Sequence, residues 1–251
     1  MALRPHRRGS LVGVLIGLAV LLGPSAAFAG PPLVADDPNT IGPGHVLPIV
    51  SASVFDQGSE TLLRAPILDL TVGVVDSLDF TLLAPLVGRH NPGAKPEWSF
   101  TSLFAPGLKW QFFRTDRGSL CLSPAFYIDS GRLKRSFALL PLEGELKVGE
   151  HRKGVIGFDI GYEPTIGGTH RWFIAPYASY MVSPKLDVLL EVWCLGLGAT
   201  ARTGGSVGIN TGTESRDIRL LAALGTGFVS FGAARVDVRA YLGVQYMFST
   251  R

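Results

Sequence analysis

From Leu68 to Phe248, apolar side chains return at every second position in one segment after another, with polar and charged residues between them. Leu68-Asp69-Leu70-Thr71-Val72, Leu78-Asp79-Phe80-Thr81-Leu82 and Leu108-Lys109-Trp110-Gln111-Phe112 show the pattern, and 142–148 and 236–242 repeat it. A period of two marks a strand with one oily and one wet face. The runs predict strands at 46–55, 65–75, 78–87, 99–113, 119–129, 136–148, 154–164, 171–182, 185–197, 216–229 and 235–248.

The charges choose between the faces. Within the well-patterned stretches of these runs no even position is charged, whereas odd positions carry Asp69, Asp79, Lys109, Glu143, Glu145, Lys147, Asp159, Glu163, Asp187, Glu191, Arg219, Asp237 and Arg239. An Arg or Lys facing mid-bilayer lipid costs about 2–4 kcal/mol. The even face therefore meets lipid and the odd face lines a lumen. Run 171–182 is apolar or aromatic on both faces and stays unoriented. Trp98, Trp110, Trp172 and Tyr246 fall near strand ends, where aromatic girdles belong. Short turns (Val75-Asp76-Ser77, 114–118, 149–153, Ser183-Pro184) alternate with longer Gly-rich links at 88–97 and 199–215. The pattern predicts an all-β fold, a transmembrane antiparallel up-and-down barrel. Eleven runs cannot close such a barrel with both ends on one side, so about twelve strands are expected, with ten as the fallback. The missing strand is expected within 198–234, at Ser206–Thr211 or in part of Phe228–Ala234. Pro48, Pro85, Pro106, Pro124, Pro141 and Pro176 fall inside runs and predict bulges or strand ends.

Arg4, Arg7 and Arg8, the apolar run 11–22 and Ala27-Phe28-Ala29 form the three parts of a cleaved export signal, residues 1–29, with Ala35 an alternative cleavage point. Its apolar run is too short to span a bilayer. Residues 30–44 read as an extended periplasmic lead-in, and 45–251 as the barrel. The charge picture changes with the signal removed. The chain has 23 Lys+Arg and 20 Asp+Glu, and the signal holds three of the arginines, so the remainder balances. A basic nucleic-acid-binding surface has no support. Only 17% of residues are charged, oily for a soluble domain and natural for a lipid-facing wall. Cys121 and Cys194 fall on opposite parities, which predicts two unbridged thiols.

Three stretches carry a resemblance: Asp36-Asp37-Pro38 through Gly42-Pro43-Gly44-His45, the hairpin 66–80, and the ending Tyr246-Met247-Phe248. They resemble bacterial outer-membrane barrels of the phenol-degradation "MetA-pathway" type. That resemblance implies a roughly twelve-stranded barrel in the outer membrane and uptake of hydrophobic or aromatic compounds. The family commonly follows its Gly-Pro-Gly-His motif with an aromatic and an acid, whereas Val46-Leu47-Pro48 follows here. The last strand, with Val244, Tyr246 and Phe248 on one parity, resembles the signal read by the barrel-insertion machinery.

Catalytic chemistry finds little footing. His45, His90, His151 and His170 all fall in predicted turns or loops, without a matching Ser on a strand. Metal-ligand spacings are missing, and no cofactor is expected. The candidate constellation is the lumen, where Glu143 and Glu145 should neighbour Asp159 and Glu163 on the next strand. Four such carboxylates repel unless bases intervene. Either they are ion-paired, with Lys147, Arg219 and Arg239 among the partners, or they form an acidic conduit favouring cations or neutral solutes. The expected function is a passive channel or transporter for small solutes, hydrophobic or aromatic ones included. The alternative is a non-conducting structural or surface-binding barrel using outer loops such as 199–215. The expected partners are outer-membrane lipid, the insertion machinery and a small-molecule solute.

Overall fold

The computed structural model describes residues 35–249, apart from 57–59, 91–98, 131–135, 150–152, 165–169, 198–199, 213–217 and 230–234. The strands are β1 (His45–Asp56), β2 (Thr61–Val75), β3 (Leu78–His90), β4 (Ser99–Arg114), β5 (Gly118–Leu122), β6 (Ala125–Asp129) and β7 (Phe137–Val148). They continue as β8 (Gly154–Pro164), β9 (His170–Ser183), β10 (Leu186–Leu197), β11 (Thr200–Gly212), β12 (Ile218–Val229), β13 (Arg235–Tyr246) and β14 (Phe248–Ser249). Each pairs antiparallel with its neighbours, and β13 returns to pair with β1. β5 and β6 share one place between β4 and β7, and β14 extends β13 along the start of β1. The result is a closed twelve-stranded barrel. Closure leaves no free strand edge, which a backbone in hydrocarbon cannot tolerate.

The missing strand is β11. The long link expected at 199–215 is mostly wall, and Ser206–Thr211 lies within it. Run 119–129 divides where Pro124 withholds a ladder donor. There Ser123 N–H donates to Pro141 O, and Leu108 N–H to Pro124 O. Pro85 follows a register shift between β2 and β3, whereas Pro48 and Pro106 sit in unbroken register. His45, His90 and His170 are strand-end residues, not loop residues, and His170 stacks on Tyr162. His151 and Trp98 lie outside the described residues.

The exposed large hydrophobics carry even numbers, except Val75, Phe113, Val207 and Ile209. Val75 and Phe113 each follow a bulge, and one extra residue swaps faces. Val207 and Ile209 belong to β11, whose whole parity is reversed: Val207 lies opposite Leu190, and Ser206 opposite Glu191. Strand β9 resolves as Phe173, Ala175 and Tyr177 inward and Trp172, Ile174 and Tyr180 outward. Cys121 is buried, Cys194 is half-buried on the other parity, and both are unbridged.

Glycines inside the barrel make room for large lumen side chains. A Cβ on Gly204 would lie 2.1 Å from Trp193 Cζ2, and one on Gly157 2.5 Å from Tyr177 Oη. An inner layer of Tyr127, Phe137, Phe173, Tyr177 and Trp193 results, with Tyr127 and Phe137 stacked at 4.5 Å.

Candidate functional site

A twelve-stranded barrel is wider than side chains alone will fill. Here the chain's own residues 35–41 occupy part of the interior. The lead-in expected to lie in the periplasm runs, from Ala35 onward, inside the lumen. Gly42 and Gly44, at φ 79° and 76°, reverse the chain between this segment and β1. Gly73 on β2 leaves the space the reversal needs, since a Cβ there would lie 1.7 Å from Gly42 O.

The segment is bonded residue by residue to inward side chains. Ile41 N–H donates to Asp79 Oδ2 at 2.9 Å, and Thr40 Oγ1 to Asp76 O at 2.7 Å. Asn39 Nδ2 donates to Glu145 Oε1 at 2.8 Å, while its Oδ1 accepts from Ser119 Oγ. Gln111 Nε2 donates to Pro38 O at 3.1 Å. Lys109 Nζ donates to Asp37 O at 2.6 Å and Asp36 Oδ2 at 2.9 Å, and stands 3.6 Å from Glu143 Oε2. Ala35 N–H donates to Glu191 Oε1 on β10. A buried carboxylate or ammonium without such partners would be costly. The extended backbone of the segment supplies donors and acceptors that a smooth wall lacks.

The expected row of four carboxylates is therefore divided. Glu143 faces Lys109, Glu145 holds Asn39, and Glu163 pairs with Arg171 at 3.2 Å. The segment and β9 supply partners not expected from the sequence; of the expected ones, Lys147 attracts Glu145, while Arg219 stands by Asp187 and Arg239 is attracted by Glu191. Asp159 is buried beside Glu143, its partner across the β7–β8 ladder. Lys147 is half-buried near the turn end of β7, its N–H donating to Arg117 O. On the far wall Asp187 stands 3.8 Å from Arg219, and Asp237 3.2 Å from Arg202, with Arg202 fully buried. Arg202 also lies 5.2 Å over the Phe55 ring.

Two cavities adjoin the segment among the described residues. One of about 190 Å³ runs beside the segment, between it and Leu189, Asn210, Arg219, Leu221 and Gln245. The other, about 140 Å³, is lined by Arg64, Arg239, Tyr127, Tyr241 and a strip of apolar residues from β2 to β7. Asp36, Asp69, Thr71 and Lys109 line both. These four residues form a charged waist shared by the two cavities.

Sequence reasoning missed Arg64, Arg202 and the acidic pair Asp36-Asp37. Arg64 and Arg202 have even numbers. The register shift between Arg64 and Ile67 turns Arg64 inward, and Arg202 lies on the parity-reversed β11. The available signal for the segment was Asp36-Asp37, two acids in a stretch with no base to pair with them nearby.

No protein-family model and no curated protein sequence matches the chain. Solved structures do match the fold. An outer membrane channel from Pseudomonas putida F1 superposes with a TM-score of 0.64 at 14% identity, covering 88% of this chain and 100% of that one. KdgM porin gives 0.56 at 10% identity, over 80% and 99% of the two chains. NanC porin gives 0.53 at 8% identity, over 79% and 98%. At these identities the likeness concerns architecture: this is a transmembrane β-barrel of the outer-membrane type.

Proposed function

We propose that the protein is a narrow passive channel of the bacterial outer membrane, admitting small solutes and performing no chemistry on them. One observation carries the reading: two cavities inside the barrel adjoin the inserted segment and share Asp36, Asp69, Thr71 and Lys109 in their walls. The inward aromatic layer supports compact hydrophobic or aromatic solutes, as does the resemblance to phenol-degradation barrels. The acids are divided among the segment and neighbouring bases, so a general preference for cations loses its basis. The inserted segment favours one rival, a non-conducting barrel. Phe248, stacked near Tyr246 and paired across the seam with Val46, is proposed as the mark read by the insertion machinery.

Planar-bilayer recording and liposome swelling test the proposal together. Small single-channel steps are expected, with swelling fast for one-ring neutral solutes and slow for disaccharides. No steps and no swelling would establish the non-conducting barrel.

A further inference from the structure

The 140 Å³ cavity has two unlike ends. At the waist end, Lys109 is committed to Asp36, Asp37 and Glu143. At the other end stand Arg64 and Arg239, which line this cavity and not the one beside the segment. They sit on the two strands flanking β1: Arg64 lies opposite Ser53, and Arg239 opposite Phe55. Ser51, Ser53 and Tyr241 add hydroxyls to the same wall. Opposite runs an apolar strip of Ile67, Leu83, Pro85 and Leu139.

We infer that this cavity is a subsite for a small organic monoanion: a carboxylate seated between Arg64 and Arg239, with a compact apolar body, about one ring, against the strip. The inference rests on the channel reading and names the solute class that reading leaves open. Size decides the body. A cavity of about 140 Å³ is close to the roughly 150 Å³ of an apolar protein cavity that takes one benzene. Chemistry decides the head. Paired guanidinium forks match carboxylate geometry. The other charges in the cavity are Asp36, Asp69, Glu143, Asp159 and Lys109. Asp36, Asp69 and Lys109 form the waist, and Glu143 faces Lys109. Glu191 accepts the Ala35 N–H and its charge also attracts Arg239. An arriving carboxylate thus meets cations at one end and acids at the other, which orients it head first toward the arginines.

Sodium benzoate, with benzyl alcohol as the neutral control of equal ring size, is the probe. In single-channel recordings of the full chain, benzoate is expected to interrupt the current. Benzyl alcohol, and benzoate on the double variant Arg64→Gln/Arg239→Gln, should do so about tenfold more weakly, the usual scale for hydrogen bonds to a charged group. Equal action of benzoate and benzyl alcohol, or undiminished block in the double variant, would overturn the subsite. Isothermal titration of benzoate into the detergent-solubilised chain keeps the two proposals apart. If no current flows, the channel reading falls, while saturable binding lost in the double variant upholds the subsite and its absence removes it. Should the double variant fail to show a folded barrel's heat-modifiable gel mobility, the single variants Arg64→Lys and Arg239→Gln replace it, each expected to weaken block and binding by a smaller factor. Wild-type values in both would count against the assignment.

Discussion

The two sides of the lumen use charge differently. On the wall formed by β3, β4, β5 and β7, Asp79, Lys109, Gln111, Ser119 and Glu145 reach inward to a foreign strand of backbone and hold it by hydrogen bonds. On the wall of β10 to β13, Glu191 accepts the Ala35 N–H, and other charges close on each other across one intervening strand, as Arg202 with Asp237 and Arg219 with Asp187. The space beside the segment lies along this second wall. Polar residues of similar type thus do two jobs: one wall mostly grips an insertion, and the other mostly neutralises itself beside a cavity. Residue type alone does not separate these roles; the presence of an acceptor-rich segment within reach does.

Removing what the first wall grips should break the contrast most sharply. Deleting residues 35–41 is expected to raise single-channel conductance several-fold without unfolding the barrel, because the segment contributes no wall strand. Unchanged conductance would show that the passage lies elsewhere. The two buried cations come next. Lys109→Met and Arg202→Met should each destabilise by roughly 3–5 kcal/mol in urea unfolding followed by Trp fluorescence, since each strands a buried acid. Only Lys109→Met should also change conductance, and a matching change in Arg202→Met would erase the distinction between the walls. On the outer face of the second wall Leu224 is 64% exposed, and Leu224→Arg should cost about 2–4 kcal/mol in the same assay. Least of all, Asp187→Asn breaks a long, part-exposed pair and should shift stability by about 0–1 kcal/mol. A larger loss would mean that this pair carries more of the wall than its geometry indicates.

Legibility in the sequence followed the same division. Strands whose outward face is strictly apolar, such as β2 after Pro66, β7 and β13, announced themselves through Leu68 and Leu70, Leu142 and Leu146, and Val238 and Leu242. β11 did not. Its outward residues include Thr203 and Gly205 beside Val207 and Ile209, and its inward ones Gly204, Ser206 and Gly208, so the two faces differ little in hydropathy. Of the glycines that blurred the pattern, Gly204 admits Trp193. Arg64 was hidden for another reason: parity is a count, and one register shift upstream of Ile67 resets it. The inserted segment was hidden most completely. Its contacts span sequence separations of 36 to 156 residues, and no periodicity records a partner that arrives from so far along the chain.

Gly42 and Gly44 place residues 35–41 on a swivel at the rim that already holds the chain's entry into β1. The departure of residues 35–41 breaks their own bonds without parting any strand from its neighbour. Deuterium should therefore reach the Ile41 amide through a shallow, sub-global opening, while amides of the β12–β13 ladder wait for far rarer events. The molecule carries two separate free energies, one for the cylinder and a smaller one for its tenant.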